Sequence, residues 1–516
     1  MTVMSSQKAW RGLIGLCLAS FLGCIDFTIV NTALPAIQTS LNVGITELQW
    51  VINIFMLTLS ALMVVKGRLA DIYGRRQLLY IGIIIFAIAS LGAGLSPTID
   101  WLIFFRLVQG CGVAILYTVP IAIIPSLFSA DQRGKATGIL IGVNGLGLAI
   151  GPVIGGFIVS ALSWRWIFFV NLPIIIISIL FCLNSIPESK NLEHGKKIDW
   201  LGLVLLIIGS PLLVLATVQG SSWGWTSITT LGTYAIALIS LLAFYIVEQR
   251  NDSPIIQFSL FKGRIFLAAI MANFSLAFFY TVLFFLLPLY LHNIRGQSSD
   301  QIGLTLLPAT LMVALLSPLV GSILDKRGPK FILLIGFALF AVSAILQFSF
   351  DANSSIGFII GALVLFGIGW GCILSPSIVA ALSSVPEAVG GVAMGSLGTL
   401  HNFGGAIGLA IGTVVYNVLA KNNLLANLAA QHVASNTWTT AIVANPDTAI
   451  QTLQANIGID KMHAEQLLNQ FFLRGYHGAM GLLLVITVVT FLIVMFGFPN
   501  KKLAHPVQPV DPMQIL

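Results

Sequence analysis

Residues 67 to 76 read Gly67-Arg68-Leu69-Ala70-Asp71-Ile72-Tyr73-Gly74-Arg75-Arg76, a charged, glycine-punctuated turn between two long apolar runs. A shorter copy, Gly321-Ser322-Ile323-Leu324-Asp325-Lys326-Arg327-Gly328, keeps the same Gly-to-Asp and Asp-to-Gly spacings. Spacing and position together read as an internal duplication. In each copy the first glycine is expected to end an apolar helix. The carboxylate is expected to cap the helix that follows, and the basic groups to hold the turn at a membrane surface. The copies differ at their ends, with Pro329 and Lys330 where the first has Arg75 and Arg76.

The flanking runs set the class. A chain that is 57% hydrophobic and 8% charged, with a mean hydropathy of +0.97, has more apolar surface than a soluble core can hide, and reads as an integral membrane protein. Its net charge of +7 sits in short loops between spans, a topology signal that needs no nucleic-acid partner. Cys17, Cys24, Cys111, Cys182 and Cys372 all fall inside apolar runs, none at metal-ligand spacing from another, so neither a disulfide nor a metal site is expected. The run after Lys8 and Arg11 contains Asp26, reaches Pro35 without a small-residue cleavage signature, and is read as the first span rather than a signal peptide.

A helix needs about 20 largely apolar residues to cross a bilayer. Counting such runs gives an all-α membrane protein with fourteen spans, the sixth at 167–186, the thirteenth at 392–419 and the last at 477–498. On one side of the membrane the loops between these spans hold only Arg165, Arg295, Lys421, Lys461 and Arg474, against a large majority of Lys and Arg on the other. That asymmetry makes both termini cytoplasmic in a multi-pass protein of the cell (cytoplasmic, or inner) membrane. The duplication divides the chain into a six-helix bundle at 12–186, an inserted helix pair with its flanking loops at 187–263, and a second six-helix bundle at 264–498. A long external loop is expected at 421–474 and a cytoplasmic tail at 499–516.

Asp26 is the one acid well inside an apolar run. An ionised carboxylate there is expensive, which favours taking up a proton and makes Asp26 a candidate proton carrier. The alternative is a structural carboxylate bonded to neighbouring hydroxyls such as Thr28 or to backbone. Arg106 is the only basic residue deep in a span and must face the protein interior or a wet cavity. It could tune Asp26 by its charge or anchor to carbonyls of a neighbouring helix, and the two are compatible. Gly110, Val113 and Tyr117 share its helical face and form a stripe able to line a cavity. Gly147, Gly151 and Gly155 recur every fourth residue, a surface for close helix approach, and Pro152 adds a bend.

At the cytoplasmic ends, Gly67, Asp71, Gly74, Arg75, Arg76, Asp325 and Arg327 form a candidate conformational gate. Their charges can pair with one another or with helix ends of the opposite bundle, and those contacts must break as the protein opens. Gln109, Tyr117, Tyr280, Phe284 and Trp370 are the candidate substrate wall, since an aromatic pocket with few polar groups binds lipophilic molecules loosely.

The turn at 67–76 resembles the cytoplasmic signature of the major facilitator superfamily. Other segments resemble its fourteen-helix drug:proton antiporters of the EmrB/QacA type: residues Asp26 to Pro35 the first-helix motif, Arg106-Leu107-Val108-Gln109-Gly110-Cys111-Gly112 the fourth-helix motif, and Gly147 to Gly156 the fifth-helix antiporter motif. The resemblance implies the major facilitator fold, proton coupling through Asp26 and Arg106, and a hinge or seal between bundles at Gly147, Gly151, Pro152, Gly155 and Gly156. It also implies export of amphipathic or cationic compounds in exchange for protons, and resemblance to the EmrB branch motivates a periplasmic adaptor and outer-membrane channel as partners. His401 and Asn402 stand where many relatives carry an arginine, so no polar role is carried over to them. Coupling motifs alone do not separate a multidrug exporter from a dedicated exporter of one metabolite or siderophore. No phosphate loop, no His-Glu-x-x-His motif and no cofactor-binding pattern is found, so a secondary transporter is expected rather than an enzyme.

Overall fold

The computed structural model describes residues 6–63, 74–183, 185–187, 199–251, 254, 256, 258–386, 390–430, 451, 453–455 and 459–499. Its helices are α1 (Ser6–Leu41), α2 (Ile45–Met63), α3 (Arg75–Leu95), α4 (Ile99–Leu127), α5 (Ala130–Ala161), α6 (Trp166–Phe169) and α7 (Asn171–Cys182) in the first half. The pair α8 (Trp200–Trp223) and α9 (Ile228–Arg250) follows, then α10 (Arg264–Asn293), α11 (Ser299–Arg327), α12 (Pro329–Phe348), α13 (Ile356–Ser383), α14 (Gly390–Ala430) and α15 (Lys461–Gly497). Among the described residues, thirteen helices are long and apolar enough to cross a membrane. The expected sixth span, 167–186, is shorter, an apolar segment at Trp166–Cys182 made of α6 and α7.

The halves repeat each other's packing. In the first, α1 packs on α4, α5 and α7, while α4 packs on α2 and α3. In the second, α10 packs on α13, α14 and α15, and α13 on α11 and α12. Helices α1 and α10 are the most enclosed, whereas α9 faces largely outward. The two halves meet along two related seams, α5 on α11 and α2 on α14. Helix α8 packs on α9 and also touches both α2 and α14.

Glycine explains the tightest contacts. A side-chain carbon at Gly147, Gly151 or Gly155 would collide with Phe21, Thr28 or Thr32 of α1. One at Gly156 would meet the Ser299 carbonyl at the start of α11, and one at Gly303 of α11 would meet the Pro152 carbonyl. The every-fourth-residue stripe therefore seats α5 on α1 inside the first half, while Gly156 and Pro152 meet the other half. The same device recurs unpredicted on α14, where Gly404, Gly408 and Gly412 press on Phe274, Phe278 and Val282 of α10, and Gly405 meets Met56 of α2 across the seam.

Two expectations about the turns are corrected. Gly321 does not end its helix and Asp325 does not stand at the N-cap position of the next, because α11 continues through both to Arg327 and Gly328 precedes α12. The chain reverses at Gly328, whose φ of 77° ends α11, and Pro329 stands at the start of α12. Gly74, with φ 103°, does the same for α3. A positive φ is open to glycine at little cost, and proline with its fixed φ suits a first turn. Gly67, Lys66 and Asp71 lie outside the described residues. The expected loop at 421–474 is also shorter, since α14 runs to Ala430 and α15 starts at Lys461. Asp460 caps α15 by accepting from the His463 backbone N–H at 2.8 Å, a bond that holds its carboxyl below the usual carboxylate range.

Candidate functional site

Asp26 of α1 and Arg106 of α4 form a buried ion pair. Asp26 Oδ2 and Arg106 Nη1 are 2.5 Å apart, with side chains 0% and 2% exposed. Arg106 also donates through Nη1 to Gln109 Oε1 at 3.0 Å and through Nε to the Val51 carbonyl of α2 at 3.0 Å. Its guanidinium carbon lies 4.0 Å from the centroid of the Phe55 ring. Gln109 Nε2 donates to Asp26 Oδ1 at 3.4 Å and to Ser90 Oγ of α3 at 2.9 Å, and Asn171 of α7 reaches the same hydroxyl. One polar cluster thus ties five helices together. Arg106 faces the acid and also anchors to a neighbouring backbone, a geometry compatible with both sequence readings. The Thr28 alternative for Asp26 does not hold: that hydroxyl donates to the Ile25 carbonyl instead.

Beside this cluster, between the halves, is a cavity of about 170 Å³. The first half contributes Phe27, Val113 and Tyr117, and the second Asn273, Tyr280, Trp370 and His401 among others. Of the candidate wall, Tyr117, Tyr280 and Trp370 are here. Gln109 is not, because it sits three residues from Arg106 on the same helix and is bonded into the ion-pair cluster. Phe284 is not either: it lines a smaller cavity of about 20 Å³ with Arg106, Phe55 and Asn31. Phe27 and Tyr280 border both cavities, which makes them the partition between ion pair and cavity.

Sequence reasoning missed the polar side of the cavity. His401 Nδ1 bonds to Asn273 Oδ1 and, at 3.2 Å, to the Asn273 carbonyl. Both are acceptors, so Nδ1 carries the proton and Nε2 accepts from the Tyr280 hydroxyl at 3.3 Å. Asn273 Nδ2 donates to Ser377 Oγ at 2.8 Å. Tyr280 stacks on Trp370 at 4.9 Å with an interplanar angle of 1°, and Phe27 meets Tyr280 edge-on at 5.6 Å. The available signal was Asn273 standing alone in an apolar run, the same kind of signal that singled out Asp26.

The halves are joined by hydrogen bonds along both seams. Ser60 and Thr399 exchange bonds, each hydroxyl donating to the other's backbone carbonyl, at 2.7 and 3.2 Å. Thr413 bonds Gln49, Asn417 Nδ2 donates to Thr46 at 3.4 Å, and Thr310 donates to the Ala149 carbonyl at 2.8 Å. The candidate gate cations make contacts within their own halves. Arg75 donates to the Ala122 carbonyl at 2.7 Å, Arg76 lies over the Tyr80 ring and Arg327 over Phe331.

With the geometry in hand, comparison with known proteins decides the family. The Major Facilitator Superfamily model matches residues 16–409. This chain belongs to the major facilitator superfamily. The chain is 32% identical over 400 residues to the multidrug resistance protein Stp of Mycobacterium tuberculosis (strain CDC 1551 / Oshkosh), covering 77% of this chain and 74% of that protein. It is 30% identical over 469 residues to the riboflavin transporter RibZ of Clostridioides difficile (strain 630), covering 91% of this chain and 98% of that one. In fold it resembles a bacterial homolog of the human lysosomal transporter Spinster in an inward-facing, unoccupied conformation, with a TM-score of 0.68 and 15% identity over 98% of this chain and 100% of that one. This major facilitator protein is therefore an all-helical, multi-pass membrane transporter and not an enzyme.

Proposed function

We propose that this major facilitator protein expels amphipathic organic compounds from the cell in exchange for protons, by alternating access. The observation that carries the reading is the fully enclosed Asp26–Arg106 pair, with Phe27 and Tyr280 bordering both the small cavity beside Arg106 and the largely apolar cavity between the halves. Proton uptake at Asp26 would remove the charge that Arg106 faces and leave the guanidinium on Val51 and Gln109. Breaking a buried pair in this way costs several kcal/mol. That is enough to bias the packing of α1 against α4, and so the equilibrium between outward-open and inward-open arrangements. In this scheme residues 12–186 and 264–498 rock as two bundles around the cavity, 187–263 is the inserted pair, and both termini are cytoplasmic.

Relatives named for multidrug resistance favour a broad substrate range. A second reading, a dedicated exporter of one metabolite, is favoured by the more complete alignment with the riboflavin transporter. Efflux from energised vesicles, assayed with a panel of neutral dyes and lipophilic cations for the intact protein and Asp26→Asn, tests both. Proton-dependent efflux of several dyes, lost in the variant, supports the first reading. A single accepted compound supports the second, and transport unaffected by collapsing the proton gradient contradicts both.

A further inference from the structure

A guanidinium carries five N–H donors and no acceptor. Arg106 commits three of them, Nε to the Val51 carbonyl and Nη1 to Asp26 Oδ2 and Gln109 Oε1. The two on Nη2 make no hydrogen bond among the described residues, and Nη2 is not one of the sealed polar atoms. Arg106 lines the small cavity of about 20 Å³, and so does Asn31 of α1. Asn31 Nδ2 donates to the Phe27 and Thr28 carbonyls at 3.2 and 3.3 Å. Those two acceptors fix which way the amide lies and leave Oδ1 turned away from its own helix. Oδ1 is likewise unsealed and makes no hydrogen bond among the described residues. The Thr281 hydroxyl, which donates to Met56 Sδ at 3.9 Å, adds lone pairs to the same chamber. A chamber of this kind holds a water when it offers about 10–15 Å³ and two to four polar partners. Nη2, Oδ1 and the Thr281 hydroxyl supply three.

We infer that the chamber is a one-water site joining Arg106 Nη2 to Asn31 Oδ1, and that Asn31 is a positioning residue holding the guanidinium when Asp26 is neutral. The reason is charge. With Asp26 ionised, the cation is balanced along its Nη1 edge and Asn31 adds little. With Asp26 protonated, only neutral acceptors remain, and an acceptor serving an unbalanced cation is worth about twice one between neutral groups. This deepens the exporter reading and rests on it for the claim that Asp26 changes protonation during transport, but the water site and the anchor stand on geometry alone.

The test is thermal unfolding of the purified full-length protein in one detergent, with Asn31→Leu placed in three backgrounds: unaltered, Asp26→Asn, and Asp26→Asn/Arg106→Ala. The loss of melting temperature caused by Asn31→Leu is expected to be about twice as large in Asp26→Asn as in the unaltered protein. It is expected to be smallest where Arg106 is gone and there is no cation to hold. Equal losses in all three backgrounds, the behaviour of a residue that only packs, would overturn the inference. If Asn31→Leu does not fold, Asn31→Ala takes its place with the same expected order. An experimental density map of the unaltered protein that resolves bound water needs no variant. A water within hydrogen-bond distance of both Nη2 and Oδ1 is expected there, and a dry chamber would overturn the inference. Failure of the exporter reading looks different, because the order of the three losses would persist while proton-driven efflux is absent.

Discussion

Asp26 and Arg106 come from sequence positions 80 apart and meet as a buried pair whose remaining bonds reach Val51 and Gln109, and Gln109 in turn donates to Ser90. Removing one charge leaves the other enclosed without compensation. Arg106→Ala is therefore expected to lower stability by about 3–5 kcal/mol. The double variant Asp26→Asn/Arg106→Ala, with no charge left in the cluster, should recover much of that loss. Thermal unfolding of the intact protein, Asp26→Asn, Arg106→Ala and the double variant in one detergent checks this, and simple additivity of the single effects would mean the two groups do not interact.

Close packing at the glycine stripes makes a contrasting prediction. Gly151→Ala and Gly408→Ala must push α5 from α1 and α14 from α10, at a cost of about 1–3 kcal/mol each. Gly138 and Gly142 lie on the same helix as Gly151, and among the described residues nothing lies within 4 Å of a side-chain carbon added there. Alanine there should be neutral, or stabilising by up to about 1 kcal/mol through helix propensity. Melting temperatures of the four variants decide it.

The seam between α2 and α14 should be a moving contact. With the native cysteines removed, cysteines at Thr46 and Asn417, which are within hydrogen-bond distance here, are expected to be joined efficiently by a short bifunctional thiol reagent. Conditions that drive the alternate arrangement should reduce the yield several-fold. An unchanging yield under every condition would mean that this end of the seam does not open.

His401 should matter to the shape of the cavity more than to coupling. His401→Ala releases the Tyr280 hydroxyl and Asn273, so substrate affinity is expected to fall by about tenfold. The dependence of exchange on the proton gradient should be retained, as judged by comparing gradient dependence with substrate dependence in the same vesicles.

Much of this arrangement was legible because a membrane makes polarity conspicuous. Asp26 and Arg106 stood out as charges in apolar runs, and the duplicated turn announced two halves that do repeat their helix pairings. The misses have definite causes. Hydropathy stops at Lys421 and resumes near Tyr476, yet helices need only compatible residues, so α14 runs on to Ala430 and α15 begins at Lys461. Gln109 is grouped with the aromatic wall in the sequence, but its i, i+3 relation to Arg106 turns it toward the acid. The α14 glycines had the same spacing as those of α5 and could have been found by extending the search for repeats to the second half. Asn273 and His401 are neutral, and only tertiary contact brings them together.

The central claim is that a proton at Asp26 is what drives exchange. Its most direct test is efflux of one accepted dye from vesicles under an imposed pH gradient, with binding of the same dye measured on the same preparations, for the intact protein and Asp26→Asn. The account predicts that the variant still binds dye within a few-fold of the intact protein but shows no acceleration of efflux by the gradient. Gradient-driven efflux at the rate of the intact protein in Asp26→Asn would contradict it.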